Sequence, residues 1–284
     1  MRFLKRLFHR SRSAPLRFSG GLVANLLGYH ILRLLYFRVR YALRQPRLPT
    51  DERARAYAAT LLEDGIVVIP NYFPEVVFKE IRDACARTPV RVHCERAPHV
   101  TVGIPSLPSA FMDDLIVNQV VSAVVRKDIT VPPSVTVETT SFAKEDFNVS
   151  TQDERSDCLH FDVSYPTMKT LLYMNDVDEA NGAFRYVRRS HRFTLARLWM
   201  EYLLSVRFYR WPKARQVSET PEVPGSFLAR NRLTLESICG KANTMIIVNT
   251  SGLHRRGDFS TTRERTVLFR SFKGLYSSRY RESA

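Results

Sequence analysis

The first fifty residues of the chain contain no aspartate or glutamate, although eleven lysines and arginines lie there. The net charge of the whole chain is +15, so residues 51–284 account for only +4 once those eleven are set aside. The basic character therefore belongs to the N-terminal segment. A nucleic-acid-binding protein carries its basic residues on a folded face together with a recognisable motif. No such motif is present, which argues against nucleic acid as the partner.

A disulfide framework and a membrane-spanning helix are also missing from the sequence pattern. The four cysteines form no CxxC pair, which indicates reduced thiols in a reducing compartment. A membrane-spanning helix needs about twenty predominantly apolar residues. The most apolar stretch, Gly21 to Phe37, is shorter and contains His30 and Arg33. It also lacks the small-residue cleavage site of a secretory signal, so we predict a cytoplasmic protein.

The basic N-terminal segment, residues 1–48, has a moderately amphipathic helical pattern. On a helical wheel the polar residues lie on one side and the apolar residues on the other. The polar side has Asn25, Arg33, Arg40, Arg44 and Arg47, and the apolar side has Leu27, Ile31, Leu34 and Leu35. This pattern predicts a peripheral contact with an anionic membrane. Two alternatives are open. One is an organelle-targeting segment, which is also rich in arginine and poor in acid; the other is a helix packed on the protein's own core with its arginines in water.

Two helices are predicted at the start of residues 49–284, which form the expected main domain. Thr50 can cap a first helix that ends near Gly65. The short apolar run "IVVIP" then predicts a buried strand. Pro74 suits the first turn of a second helix, which is expected to bury the face formed by Val77, Ile81 and Ala84.

Strands dominate the pattern from about Val131 onward. The candidates are "SVTVETTSFA", "TMKTLLYM", "ANGAFRYV", "ANTMIIVNTSGLH" and "RTVLFRSF". A helical insertion with a proline-bearing loop interrupts them at about 193–241. The pattern therefore predicts a mainly β barrel or jelly roll, flanked by N-terminal helices and carrying one helical insertion.

The stretch "DCLHFDVSYP" places a histidine and an aspartate two residues apart in a β-prone run. Residues i and i+2 of a strand point to the same face, so His160 and Asp162 are expected to project together. A metal site needs a third ligand, and His254 at the end of an apolar strand has a suitable setting. Two histidines and one carboxylate on one face are the ligand set of non-haem Fe(II) oxygenases. A surface histidine at a strand end is the alternative for His254.

An arginine at the start of "RTVLFRSF" is the candidate for binding an anionic cosubstrate. Arg265 lies in a predicted strand, where a buried guanidinium needs an anionic partner. Its planar fork suits a carboxylate such as that of a 2-oxo acid. Arg263 has the same strand parity and is the competing candidate. A solvated charge at the sheet edge is the alternative for both.

Four stretches in this order resemble the phytanoyl-CoA dioxygenase family of Fe(II)/2-oxoglutarate-dependent oxygenases. They are "LLEDGIVVIPNYFPEVVFKEIRDA", "LHFDVSY", "LYMNDVDEANGAFRYVRRSHR" and "VNTSGLHRRG" followed by Arg265. The resemblance implies a double-stranded β-helix with His160, Asp162 and His254 as iron ligands. It also implies that Arg265 binds the distal carboxylate of 2-oxoglutarate. Lys144 is a candidate for a second contact to 2-oxoglutarate, because Arg256 stands where family members often have a small hydroxyl residue.

The resemblance implies hydroxylation of a small molecule with Fe(II), 2-oxoglutarate and O₂. The carboxylate of Asp162 favours hydroxylation over halogenation, because related halogenases lack this ligand. A lipid-like or acyl substrate is the hypothesis for the substrate class. A metal-dependent cupin-type enzyme that does not use 2-oxoglutarate, and a catalytically silent membrane-associated binding protein of the same fold, are the alternatives. The oligomeric state has no sequence signal.

Overall fold

In the computed structural model, helices occupy the first part of the chain and strands most of the remainder. The described residues are 20–94, 99–129, 133–142, 158–210 and 222–272. Their helices are α1 (Gly21–Leu26), α2 (Tyr29–Ala42), α3 (Glu52–Asp64), α4 (Glu75–Ala86), α5 (Ser109–Met112), α6 (Leu115–Val125), α7 (Leu195–Arg210) and α8 (Gly225–Arg230). Their strands are β1 (Ile66–Ile69), β2 (Val90–Cys94), β3 (His99–Gly103), β4 (Ser134–Ser141), β5 (Met168–Tyr173), β6 (Phe184–Val187), β7 (Leu235–Ile238), β8 (Met245–Asn249), β9 (His254–Arg256) and β10 (Arg265–Ser271).

The strands form two antiparallel sheets. The larger sheet has the order β1-β8-β5-β10-β4-β3-β2, and the smaller one has the order β7-β6-β9. Side chains from both sheets meet in one buried apolar layer, to which Leu171, Tyr173 and Val267 contribute from the larger sheet and Phe184 and Tyr186 from the smaller. This arrangement confirms the predicted mainly β, double-stranded β-helix fold with helices around it.

The outer face of the larger sheet is covered by helices. Strand residues of alternate parity, such as Leu172, Ile247 and Leu268, pack with helix residues including Leu61 and Ile81 in a second apolar cluster. Because successive strand residues point to opposite faces, the same strands supply one side chain set to the helices and another to the interior between the sheets. The interior face is the one that carries the candidate site.

The first two predicted helices of the domain are present, with corrected ends. Helix α3 is capped by Asp51 and not by Thr50, because the Asp51 side chain accepts a hydrogen bond from the backbone N–H of Ala54 at 3.0 Å. Its end at Gly65 is as predicted, since Gly65 has φ of 83°.

Helix α4 begins one residue after Pro74, which lies at the cap position and not in the first turn. The helix buries Phe78, Ile81 and Cys85 instead of the predicted face. Of that predicted face only Ile81 is correct, because the large Phe78 ring sets the buried direction of the helix.

Several elements were not predicted from the sequence. Strands β2 and β3 extend the larger sheet beyond β4, although they precede Val131, where the strand-rich part was expected to begin. Helix α6 also had no predicted counterpart. The segment predicted as a helical insertion contains α7 as expected, but near its end β7 pairs with β6 in the smaller sheet. Residues 211–221 of this segment lie outside the described residues.

The N-terminal helices bury parts of both predicted sides. Asn25, Arg33 and Leu34 are buried, whereas Leu27 and Leu35 are exposed. The alternative of a helix with its arginines in water and its leucines on the core is therefore wrong for Arg33, Leu27 and Leu35, and the predicted membrane contact stays a prediction. Among the described residues, no helix combines the length and the hydropathy that a membrane crossing requires. Residues 1–19 of the segment lie outside the described part, and the domain division at residue 48 stays a prediction.

Candidate metal centre

The histidine and aspartate of "DCLHFDVSYP" do not lie in a continuous strand. His160 forms an isolated antiparallel bridge with His254, in which each backbone N–H donates to the other residue's carbonyl at 3.0 and 2.8 Å. Two residues later, the Asp162 N–H donates to the Thr250 carbonyl at 2.9 Å. The predicted strand at this position is therefore wrong, but these backbone contacts still hold the two chain segments side by side.

The bridge brings His160, Asp162 and His254 together. One ligand atom from each lies within 4.8 Å of the other two. The two imidazole rings have centroids 4.5 Å apart, and Nε2 of His254 lies 3.8 Å from Oδ1 of Asp162. At 3.8 Å these two atoms are too far apart for a hydrogen bond. The ligand atoms of the three residues therefore converge on a common space.

Backbone carbonyls set which ring nitrogen of each histidine carries the proton. Nδ1 of His160 lies 2.7 Å from the Cys158 carbonyl, and Nδ1 of His254 lies 2.9 Å from the Gly252 carbonyl. A carbonyl only accepts, so in both neutral rings Nδ1 carries the hydrogen and Nε2 keeps its lone pair. A hydrogen bond of this kind is typical of metal-binding histidines. Burial, together with the proximity of His160, lowers the pKa of His254 to about 3, which favours the neutral form.

Lys169 holds the second oxygen of the aspartate. Its Nζ lies 2.7 Å from Oδ2 of Asp162, while Oδ1 is the oxygen nearer to His254. Burial alone would raise the pKa of the Asp162 carboxyl, but the charge of Lys169 and the nearby histidines hold that pKa well below its usual range. The aspartate is therefore an ionised carboxylate with one oxygen directed to the histidines.

The role of Lys169 was missed in the sequence analysis, although its signal was present. In "TMKTLLYM" the lysine has the strand parity of Leu171 and Tyr173, which belong to the interior apolar layer. A lysine on such a face needs a carboxylate partner. Strand alternation could therefore have identified Lys169 as an interior residue, but not Asp162 as its partner.

Arg265 is buried on the interior side of β10, as predicted. Its Nη1 donates to the Gly182 carbonyl at 2.6 Å, and its Nη2 donates to Oε1 of Glu138 at 3.2 Å. Its Nε is buried and has no hydrogen-bond partner among the described residues. The competing Arg263 is instead half exposed and pairs with Asp178 at 2.6 Å.

Glu138 is a second interior residue that the sequence analysis missed. It lies opposite Val267 on the neighbouring strand, and its carboxylate offsets the charge of Arg265. An anionic ligand at Arg265 would therefore share the guanidinium with Glu138. The candidate Lys144 lies outside the described residues, so its position stays a prediction.

The donor set fits a transition-metal ion. Two imidazole nitrogens with available lone pairs and one carboxylate oxygen form a mixed nitrogen and oxygen site, and their three ligand atoms are close enough to bind one ion. The hydrogen bonds to Cys158, Gly252 and Lys169 supply the outer contacts that orient metal ligands. The three residues can therefore hold a metal ion.

Comparison with known proteins gives distant structural likenesses. No protein-family model matches the sequence, and a search of curated proteins found no match. The non-haem α-ketoglutarate-dependent epimerase SnoN from nogalamycin biosynthesis is 12% identical, over 77% of this chain and 81% of that chain, with a TM-score of 0.46. HygX from Streptomyces hygroscopicus, solved with nickel, 2-oxoglutarate and hygromycin B, is 16% identical over 76% and 86%, with a TM-score of 0.45.

EctD from S. alaskensis, solved with bound Fe, is 14% identical over 80% of this chain and 78% of that chain, with a TM-score of 0.45. With TM-scores below 0.5, these likenesses do not assign a function. Membership of the phytanoyl-CoA dioxygenase family likewise stays a prediction. The function has to be argued from the residues of this chain.

Proposed function

We propose that the chain is an Fe(II)- and 2-oxoglutarate-dependent dioxygenase that hydroxylates a small molecule. The observation that carries the proposal is the convergence of His160, Asp162 and His254, with Nδ1 of each histidine on a backbone carbonyl and one ligand atom of each residue within 4.8 Å of the others. Two histidines and one carboxylate leave further coordination positions for a cosubstrate and oxygen. The resemblance to the phytanoyl-CoA dioxygenase family supports the same assignment.

In this proposal His160, Asp162 and His254 hold the iron. When bound, Fe(II) with 2-oxoglutarate and O₂ supplies oxidation of a substrate C–H bond, with 2-oxoglutarate converted to succinate and carbon dioxide. Arg265 binds the distal carboxylate of 2-oxoglutarate, for which its buried Nε supplies a donor without another described partner. Lys144 stays the proposed second contact.

Lys169 acts as a positioning residue in this site. By binding Oδ2 of Asp162 it leaves Oδ1 on the side of His254, so the carboxylate offers one oxygen to the metal. Its positive charge also keeps the carboxylate ionised without a bound ion. The site is therefore organised before metal binding, which lowers the cost of ordering the ligands.

The apolar layer between the sheets limits water around the site. The Phe184 ring, which belongs to this layer, contacts the His254 ring with centroids 5.6 Å apart. This contact shields one side of His254 from solvent. Exclusion of water strengthens the electrostatic interactions of the bound groups and suppresses side reactions.

Anaerobic binding of Fe(II) and 2-oxoglutarate tests the proposal. Wild type is expected to bind both, and His160→Ala is expected to lose Fe(II) binding. The matched control is His93→Ala, because His93 is an exposed histidine on β2. The proposed function is wrong if wild type binds neither Fe(II) nor 2-oxoglutarate, or if His160→Ala and His93→Ala bind Fe(II) equally well.

One observation favours a second candidate, a metal-dependent enzyme that does not use 2-oxoglutarate. Arg265 already has an anionic partner in Glu138, so a dicarboxylate is not needed to neutralise it. Arg265→Gln and Arg263→Gln distinguish the candidates. Loss of 2-oxoglutarate binding in the first variant alone, with Fe(II) binding kept, supports the dioxygenase. Fe(II) binding by wild type without formation of succinate from 2-oxoglutarate supports the second candidate.

A further inference from the structure

Exposed apolar side chains are concentrated on the N-terminal helices and on α7. Among the described residues, seventeen large apolar side chains are exposed, and eleven of them lie in these parts of the chain. They are Val23, Leu26, Leu27, Leu32, Leu35, Val39, Leu43 and Leu48, together with Leu195, Trp199 and Leu203. We call these residues the apolar surface. Exposed apolar patches of this kind mark interaction sites.

Helix α2 presents an apolar stripe to solvent and buries two polar residues. Leu32, Leu35 and Val39 are exposed at intervals of three and four residues, so they form one stripe. The opposite face buries His30 and Arg33 together with Leu34. A helix on the surface of a globular protein ordinarily has the reverse pattern, with its apolar stripe on the core. The outer stripe therefore has no partner among the described residues.

Helix α7 carries a second exposed stripe. Leu195, Trp199 and Leu203 recur every four residues, and Trp199 is 62% exposed. Tyr202 connects this stripe to the N-terminal helices, because its ring stacks on Trp199 and its hydroxyl donates to the Leu26 carbonyl at 3.1 Å. The apolar residues of α1 and α7 are thus neighbours and form parts of one surface.

A buried ionic network holds α2 against α7. Nε2 of His30 donates to Oε2 of Glu201 at 3.0 Å, and Nε of Arg197 donates to Oε1 of the same carboxylate at 2.7 Å. Further along, Nη2 of Arg38 donates to the His191 carbonyl at 3.3 Å. These contacts fix the two helices, so their outward stripes are a fixed feature of the fold and not the result of one loosely attached helix.

The chain segments that carry the apolar surface have an excess of positive charge. Residues 20–50 contain no acid, and the only acid in residues 193–210 is Glu201, which is buried and paired. Beside Leu48 the exposed Asp128 is paired with Arg47 at 2.8 Å, so it adds no uncompensated negative charge there. Arg207 and Arg210 lie exposed in the last turn of α7. The sequence before residue 20 adds six further lysines and arginines and no acid. A partner of this surface must therefore have an apolar region that accepts the exposed side chains and negative charges that face the arginines.

We propose that the apolar surface docks on an anionic lipid bilayer, with α1, α2 and α7 lying in the plane of the membrane interface. Exposed leucine and tryptophan side chains enter the boundary of the acyl chains, and the arginines face the anionic headgroups. A second copy of the chain is disfavoured, because a symmetric contact would oppose the same positive charges. The proposal is independent of the proposed chemistry, since it needs neither the metal nor 2-oxoglutarate.

Vesicle co-sedimentation of the full chain tests this proposal. Wild type is expected to bind vesicles that contain phosphatidylglycerol more strongly than vesicles of phosphatidylcholine alone, and added salt is expected to weaken the binding. Leu35→Glu and Trp199→Glu are expected to reduce binding by roughly ten-fold or more. Each variant replaces an apolar side chain that would be buried in the bilayer with a negative charge that anionic lipid repels. Leu62→Glu and Val76→Glu are the matched controls, since both residues are exposed on other helices.

Three outcomes would overturn the proposal. The first is no binding of wild type to either vesicle, as expected if another segment of the chain covers the surface. The second is equal binding by the stripe variants and the controls, which would assign any membrane contact to other residues. The third is self-association of wild type that Leu35→Glu abolishes, without vesicle binding, which would make a second copy the partner. Thermal unfolding of each variant checks that the fold is retained.

Discussion

Two clusters in this chain, one partly buried and one buried, each combine histidine, a carboxylate and a basic side chain. One contains His254, Asp162 and Lys169, and the other contains His30, Glu201 and Arg197. In the second cluster the histidine donates directly to the carboxylate at 3.0 Å, and the arginine occupies the other oxygen at 2.7 Å. In the first, the nearest histidine and carboxylate atoms are 3.8 Å apart.

The two clusters differ because a different use is made of Nε2 in each histidine. A carbonyl takes the Nδ1 hydrogen of His254, which leaves Nε2 as a lone-pair donor facing the carboxylate. His30 instead uses its Nε2 hydrogen for Glu201, whose burial is offset by Arg197 and His30 so that its pKa falls to about 2. The first cluster offers electron pairs to a cation, whereas in the second both carboxylate oxygens are already paired with side chains of the protein. Similar residue types therefore serve a candidate metal site in one place and helix packing in the other.

Removal of Glu201 is expected to give the largest effect. Glu201→Ala leaves the buried Arg197 without its carboxylate, which should lower the free energy of unfolding by about 3–5 kcal/mol. Urea unfolding measures this change. The control is Asp83→Asn, which breaks an exposed pair with Lys79 and should leave the free energy of unfolding nearly unchanged, because water and salt screen an exposed ion pair. Equal effects of the two variants would contradict the structural role, and loss of Fe(II) binding by folded Glu201→Ala would remove the distinction between the clusters.

Removal of Lys169 is expected to weaken metal binding without abolishing it. Lys169→Met frees Oδ2 of Asp162, and loss of such an outer contact commonly lowers metal affinity by about 10–100-fold. Anaerobic titration with Fe(II) measures the change. Lys241→Met is the matched control, because Lys241 pairs with Asp176 at 2.8 Å on the surface. Unchanged affinity in Lys169→Met would show that Asp162 needs no such support.

Lowering the pH is expected to reduce the free energy of unfolding in two steps, first through His30 and then through Glu201. Each step should be smaller than the effects of the two substitutions above. Burial lowers the pKa of His30 below its ordinary 6.5, so the unfolded chain takes up this proton first and stability falls as the pH drops below 6.5. The contribution of Glu201 is complete above its ordinary pKa of 4.5 and is lost as the pH falls toward 2. Urea unfolding of wild type at several pH values tests this. Glu201→Gln should flatten the lower part of the curve, and an unchanged curve would contradict the assignment.

Local pattern was enough to predict most strands and the residues of the candidate centre. Alternation identified the segments that became β4, β5 and β10, and the spacing of His160 and Asp162 identified a metal-binding motif. The same rules were insufficient for two short strands. Strand β2 is the edge strand and its residues 90–93 are exposed, and β3 joins it to β4. The rules were also insufficient for α2, because a helical wheel shows two faces without showing which one is buried.

The amino-acid sequence by itself determined the fold class, the acid-free N-terminal segment and the types of ligand available. These depend on composition and on short-range periodicity. Only the tertiary structure decided that Lys169 meets Asp162, that Glu138 meets Arg265, and that α2 buries His30 and exposes Leu32 and Leu35. Such pairings join residues on different elements, and their geometry depends on how the two sheets and the helices pack. The packing of the sheets and helices sets the distance between carboxylate and histidine in each cluster. That distance decides whether the carboxylate is a candidate metal ligand or a direct partner of the histidine.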